Sequence, residues 1–353
     1  MRVTLQKNKL TFILLFLLSI LIALIGEKVL PQKFFIDANT IVFDYYNEAG
    51  FKGSYPLTMS FYKYTQLGKL PFNVVGVFQL FFYYIILFKI GVPKDFHILT
   101  IKNIIVYLAF LMIGIFISMP SKEFITFLFI SQIVFLFQSK KIGFDLSLLY
   151  SFLILIIFGI FFRSYFALIP VISILLYFIS KIKYTNRTFG IIIISVLVII
   201  LFSALHYLAK GEFFSDLARN SVNEVRQGSE DANSMIIPPL EPTGLLAELV
   251  NTFYSFLSVN FPIVEYKHLL SPRIFLFIIW QILFTIIFIV RFSWAIKDPI
   301  KNNRILWIFY FLFSYLAIQS VFEPDLGSAV RHKIGILPLF YYVFYYDSFS
   351  KKV

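Results

Sequence analysis

The chain has 353 residues, 59% hydrophobic, 20% aromatic and 14% charged, with a formal net charge of +12 and no cysteine. A soluble domain is about half apolar and about a quarter charged, so these proportions exclude an ordinary soluble fold and predict an all-α, polytopic membrane protein. The missing cysteine excludes disulfides, thiolate metal ligands and thiol catalysis.

Apolar runs recur along the whole chain and predict about ten membrane-spanning helices, at 11–25, 73–90, 104–119, 124–137, 146–162, 165–182, 189–207, 274–290, 305–320 and 334–346. The basic N-terminal segment before the first run reads as the flank of an anchored helix, because many spans follow it. No internal repeat or low-complexity tract is visible, so residues 1–353 read as one transmembrane domain with two long connections, 26–72 and 208–273. A further amphipathic segment, 245–259, places Glu248, Asn251, Thr252, Ser255 and Ser258 on one helical side and leucine and phenylalanine on the other. That pattern predicts a helix lying in the outer interface or dipping partway into the membrane.

Orientation follows from lysine and arginine. With the N-terminus inside, the inner turns and termini hold 17 cations and four acids, Asp95, Asp145, Asp298 and Asp347, leaving 14 cations and 15 acids outside. Both termini are then cytoplasmic and both long loops face outward. The positive charge is thus a topology signal, and nucleic acid is not an expected partner.

The outer face carries the candidate chemistry. In "FIDANT" and "FDYYNE", Asp37 and Asp44 are seven residues apart and share a face if the segment is helical; Asp37 also reads as a plain helix cap. The aromatics around them suit sugar stacking or an interfacial belt. In "MPSKEF", Ser121 is the expected N-cap of the next helix, Lys122 stands at the boundary, and Glu123 pairs with Lys122 or favours the helix dipole. Arg163 in "IFFRSYF" lies between two apolar runs with almost no loop, which predicts a tight outer hairpin and leaves the guanidinium either an anchor or a phosphate contact. In "SDLARNSVNEVRQG", Arg219, Asn223 and Arg226 fall at i, i+4 and i+7, a solvated helix face or a wall over a headgroup or sugar. "FEPDLGSAVRHKIGILP" brings Glu323, Asp325, Arg331, His332 and Lys333 to the outer end of the last span, either snorkelling to anchor it or forming an anion site. GxSxG nucleophile-elbow, zinc-helix and phosphate-loop motifs are all missing from the sequence, and its four histidines have no ligand spacing, so neither metal nor cofactor is expected.

The Arg331–His332 pair, Arg163 in its hairpin, "NEVRQGSEDANSMIIPPLEP" leading into "NTFYSFLSVNFPI", and "FIDANTIVFDYYNEAGFKGSY" with the following "FYKY" together resemble the Wzy class of O-antigen and capsule repeat-unit polymerases. The resemblance spans most of the chain. It implies a glycosyltransferase of the bacterial inner membrane that joins oligosaccharides carried on undecaprenyl diphosphate at the periplasmic face, without metal or nucleotide sugar, alongside a chain-length regulator protein. It also implies that arginines neutralise the leaving diphosphate, with Arg163 and Arg331 foremost, Arg219 and Arg226 beside them, and Glu323, Asp325, His332 or Glu224 as the base. Two rival readings stand beside it: a multi-spanning lipid-phosphate-sugar glycosyltransferase led by Asp37 and Asp44, and a non-enzymatic transporter of lipid-linked sugars.

Overall fold

The computed structural model describes residues 6–182, 186–213, 234–241, 244–264 and 272–349. Among these residues, 14 α-helices and a few 3-10 turns make up the ordered elements, and strand-like pairing is confined to isolated bridges at Pro93–Phe349 and Met235–Asp325. Among the described residues, six helices are long and apolar enough to cross a membrane: Lys7–Val29, Phe72–Ile90, Phe144–Phe161, Arg187–Lys210, Ile274–Ala295 and Asn303–Phe322. Ile101–Phe116 and Ser164–Ser180 are shorter apolar helices. The all-helical membrane character expected from composition is what the chain adopts.

The chain forms two compact units, 1–167 with 331–353, and 168–330. The first contains α1 (Lys7–Val29), α2 (Ile36–Phe43), α3 (Ser54–Tyr64), α4 (Phe72–Ile90), α5 (Ile101–Phe116), α6 (Lys122–Gln138) and α7 (Phe144–Phe161). Its long helices are inside-out relative to those of a soluble protein. In α1 the buried positions include Asn8, Ser19, Ala23 and Gly26, while Leu14, Leu17 and Leu21 are about half exposed (50%, 53% and 54%). In α7 a narrow stripe of Ser147, Ser151, Leu155 and Gly159 faces inward. Small and hydroxyl-bearing residues inside and leucine outside is the arrangement lipid favours, because packing, not apolarity, distinguishes the interior from hydrocarbon.

Close helix approaches depend on those small residues. A Cβ on Gly76 of α4 would lie 2.3 Å from the Ser118 carbonyl oxygen, and one on Gly159 would lie 2.6 Å from the Ala167 backbone nitrogen. Gly76→Ala or Gly159→Ala is therefore expected to lower stability by about 1–3 kcal/mol through overpacking. Gly143→Ala, which meets nothing within 4 Å, should change it by less than about 0.5 kcal/mol. Thermal unfolding in detergent checks all three.

The helices of this unit close on themselves at two ends. At one, Asn8 donates to the Pro93 carbonyl (3.0 Å), Gln138 to Ile90 (2.8 Å), Tyr341 to Gly91 (2.7 Å), and Lys94 N–H to Ser348 (2.8 Å). The other end carries the turns before α6 and after α7 together with α2 and α3. There Gly53, at φ +108, donates its N–H to the Phe161 carbonyl at 2.9 Å, a backbone conformation glycine adopts at little steric cost.

The second unit contains α8 (Leu168–Ser180), α9 (Arg187–Lys210), α10 (Leu245–Asn260), α11 (Pro272–Ala295) and α12 (Asn303–Phe322). α12 is buried along almost its whole length and forms the centre, as an all-round apolar helix should. α10 occupies the segment predicted to be amphipathic, and its polar side is the buried one. Glu248, Thr252, Ser255 and Ser258 are buried, and Leu245, Leu246, Leu249 and Phe253 are exposed. The reason is polar partnership inside the unit: Ser203 of α9 donates to Glu248, Thr252 donates to it at 3.3 Å, and Thr285 of α11 donates to the Asn260 carbonyl at 2.7 Å.

The last expected span, 334–346, is divided. α13 (Leu326–Gly335), whose last five residues belong to the first unit, ends at Gly335, and α14 (Leu337–Tyr345) follows with Pro338 in its first turn. Gly335 is pressed against α6: a Cβ there would be 3.1 Å from Thr126 and 3.4 Å from the Glu123 carbonyl. Tyr83 of α4 also donates to the Ile334 carbonyl at 2.7 Å.

Candidate functional site: an ionic cluster in the first unit

Five separate stretches of the first unit bring charged groups together. α2 supplies Asp37 in its first turn, and α3 supplies Tyr55. α6 begins after Pro120 with Ser121 as N-cap, whose hydroxyl accepts the Phe124 N–H at 3.3 Å, as the sequence predicts. That start places Lys122 and Glu123 in the first turn. Arg163 follows α7 in the tight hairpin also predicted, fixed by its N–H to the Phe158 carbonyl (3.1 Å) and its carbonyl to the Phe166 N–H (2.9 Å). α13 supplies Arg331 and His332.

Two carboxylates organise these groups. Asp37 Oδ1 accepts the Tyr55 hydroxyl at 2.6 Å, and Oδ2 meets Arg331 Nη1 at 2.8 Å and Lys122 Nζ at 3.2 Å. Glu123 Oε1 accepts from Arg163 Nη2 at 3.0 Å and faces His332 Nε2 at 3.6 Å and Arg331 Nε at 3.8 Å. Arg331 thus bridges both acids. Lys122 Nζ also sits 3.6 Å above the Tyr55 ring, a cation–π contact. Lys122, Glu123 and Arg163 form a buried floor, while Asp37, Arg331 and His332 form an edge with 21–24% of each side chain exposed. Among the described residues, three fixed cations face two acids.

These groups precede the apolar stretch of α6 or lie in the short helices and turns. Burial alone would raise the Asp37 carboxyl, but Lys122 and Arg331 beside it hold it well below the usual carboxylate range. Glu123 behaves alike: burial is outweighed by Arg331, Arg163, His332 and Lys122, and its carboxyl falls to about 2. Burial would lower Arg331, but Glu123 and Asp37 raise it, so it stays charged. Burial and Asp37 push the Tyr55 phenol up, so it remains a neutral donor. Burial pulls the Lys122 ammonium down to about 8 against the opposing pull of Asp37 and Glu123.

A pH dependence follows. Between pH 8 and the ordinary lysine value of 10.5, the unfolded chain holds a proton on Lys122 that the folded chain has released. Lys122 then makes stability rise with pH across that window, and its contribution is lost as pH falls through 8. Lys122→Met is expected to remove this slope, measured as the difference between variant and parent unfolding free energies from pH 7.5 to 10.5.

Several expectations are corrected here. Arg163 and Arg331, expected to be either membrane anchors or phosphate contacts, converge on the cluster, and each is held by a carboxylate. Glu123, expected to serve Lys122 or the helix dipole, is the hub for Arg163, Arg331 and His332. Asp44 does not share a helical face with Asp37: it terminates α2 at φ 42 and accepts the N–H groups of Glu48 (2.6 Å) and Ala49 (3.3 Å), shaping the loop. Asp325 caps α13 through the Ser328 N–H (2.8 Å) and hydroxyl (2.9 Å), and Glu323 accepts from Gln319 at 2.9 Å. Both acids belong to the second unit. Lys333, expected either to snorkel to the boundary or to join an anion site, is buried. Arg219, Asn223, Glu224, Arg226 and His268 lie outside the described residues.

Tyr55, one of the aromatics read as suited to sugar stacking or an interfacial belt, instead gives its hydroxyl to Asp37. For Glu123 a signal existed: "MPSKEF" leaves so few residues between two apolar helices that neither Lys122 nor Glu123 has a loop to carry it into water. No group of histidine and carboxylate side chains suited to a metal occurs among the described residues. The chain matches no protein-family model, no curated protein and no solved structure.

Proposed function

We propose that the protein is a polysaccharide polymerase of the bacterial inner membrane, which transfers a growing glycan from undecaprenyl diphosphate onto the next lipid-linked repeat unit at the periplasmic face. The observation that carries the reading is the meeting of Lys122, Arg163, Arg331 and His332, from distant parts of the chain, on Asp37 and Glu123. Buried ion networks are poor devices for stability alone, since apolar replacements do as well or better. Perturbed, partly desolvated charges more often mark a working site.

Ten spans with both termini cytoplasmic suit this arrangement. The turns following the first, third and fifth spans are all assigned outward by charge, and all contribute to the cluster. The opposite end gathers Asn8, Gly91, Lys94, Gln138 and Ser348, which the same rule assigns inward.

The chemistry divides between edge and floor. An acceptor sugar hydroxyl attacks the anomeric carbon of the donor glycan. A new C–O bond forms, the anomeric carbon–phosphate oxygen bond breaks with its electron pair leaving on the diphosphate, and the hydroxyl proton passes to a base. Arg331 takes the diphosphate at the exposed edge, sharing its fork between Asp37 and phosphate oxygens, while Lys122 and Arg163 add positive potential in a region of reduced dielectric. Asp37 and Glu123, both strongly acidic, are weak bases. His332 is the better-suited proton acceptor, with Glu123 at 3.6 Å orienting the ring and stabilising the imidazolium that forms.

One observation favours a second reading. Asp37 gathers Tyr55, Lys122 and Arg331 at the exposed edge, as expected if an aspartate of the first outer loop leads a lipid-phosphate-sugar glycosyltransferase. Asp37→Asn and Arg331→Gln separate the two. The polymerase reading expects deletion of the gene to leave single repeat units on the cell surface, restored to long chains by Asp37→Asn at reduced level and not by Arg331→Gln. Full restoration by Arg331→Gln with none by Asp37→Asn favours the second reading.

A further inference from the structure

The turn that presents Lys122 and Glu123 is held from behind by two buried side chains outside the cluster. Tyr62 of α3 is 1% exposed and Gln79 of α4 is fully buried. The Ser121 N–H, one residue before Lys122, donates to the Tyr62 hydroxyl at 3.0 Å. The Gln79 amide lies against the Met119 and Ile117 carbonyls. With Nε2 turned toward them it donates to both at 3.2 Å, and its oxygen accepts the Tyr62 hydroxyl at 2.7 Å. The reverse orientation would set the amide oxygen against two carbonyl oxygens, so the network selects the first. Burial pushes the Tyr62 phenol up, which keeps its proton in place to donate.

The bonds then run without a gap from the Ser121 N–H through Tyr62 and Gln79 to the carbonyls of 119 and 117. Gly76, one helical turn before Gln79, brings the α4 backbone against Ser118 of the same turn. The segment 117–121 is thereby tied to two helices by polar groups whose loss would leave buried donors and acceptors unmatched.

We propose that Tyr62 and Gln79 are positioning residues for the ionic cluster, fixing where the Lys122 ammonium and Glu123 carboxylate stand relative to Asp37 and Arg331. The inference rests on the cluster being the reacting site. A misplacement of about 1 Å at such a site costs on the order of 100-fold in rate.

The test uses the purified full chain in nanodiscs, with Tyr62→Phe and Gln79→Met. Chain lengthening of a labelled polyprenyl-diphosphate oligosaccharide gives kcat and KM. Lysine 13Cε NMR gives the Lys122 titration midpoint, its resonance assigned by its disappearance in Lys122→Met. The expected result is a 10- to 100-fold fall in kcat, KM within about threefold, and a Lys122 midpoint displaced by roughly half a pH unit or more. An unchanged Lys122 midpoint overturns the proposal, whether or not kcat falls, because the clamp would then not act through that turn. An unchanged kcat in an active enzyme overturns it as well. If the parent protein lengthens no chain, the functional reading fails separately, and the Lys122 midpoint alone decides: displacement supports positioning and constancy overturns it. Should Tyr62→Phe not fold, Gln79→Met carries both readouts.

Discussion

Glu123→Ala is expected to lower the unfolding free energy by about 3–5 kcal/mol, the range for removing one member of a buried ion pair. The carboxylate is almost fully buried, Arg163 donates to it at 3.0 Å, and Arg331 and His332 lie within 4 Å of the same oxygen. Truncation leaves guanidinium charge in a desolvated place without the acid that offsets it. The double variant Glu123→Leu/Arg163→Met separates structure from function. Replacing both partners with apolar side chains is often neutral or stabilising, so the double variant should recover most of the thermal stability lost by Glu123→Ala. It should not recover chain lengthening, because the Arg163 charge of the floor and the group that orients His332 are both gone. Thermal unfolding and turnover on the same preparations check this. Recovery of both would make the pair a structural lock.

Arg331→Gln is expected to reduce chain lengthening by about 100- to 1,000-fold, the usual cost of deleting one preorganised group aimed at developing negative charge. Among the described residues, Arg331 is the guanidinium at the exposed edge, and it touches both acids, at 2.8 Å and 3.8 Å. Arg331→Lys should recover little. Lysine is a point charge on a flexible stem and cannot bridge two carboxylates while offering a flat fork to phosphate. The loss should fall on kcat more than on KM if the interaction strengthens as the diphosphate leaves. Radiolabelled donor turnover at saturating concentration checks it.

What was readable in the sequence was decided by lipid, and what was not was decided by packing. Apolar run length fixed most helices within a few residues: 73–90 corresponds to Phe72–Ile90, and 146–162 to Phe144–Phe161. Ser121 as a cap and Arg163 in a tight hairpin were readable because both depend on local chemistry. The partners of Arg163 and Arg331 were not, since they lie 40 or more residues away and nothing in a single chain's periodicity records such pairings. α10 shows the same limit from another side. Its two faces were visible, but an amphipathic pattern does not say which face is buried, and in this unit the hydroxyl-rich neighbours on α9 and α11 decide it. Gly335 and Pro338 in the last span mark the division between α13 and α14, a division that turns Arg331 and His332 toward α6 instead of continuing one helix.

In the proposed reaction the diphosphate departs at the ionic cluster. Its most direct measurement is chain lengthening in proteoliposomes supplied with a labelled undecaprenyl-diphosphate repeat unit, comparing the parent protein with Arg331→Gln. A ladder of longer lipid-linked glycans with the parent, and single units alone with a folded Arg331→Gln, is the predicted result. Equal ladders from both proteins, or labelled units moved across the bilayer by the parent without lengthening, would contradict it.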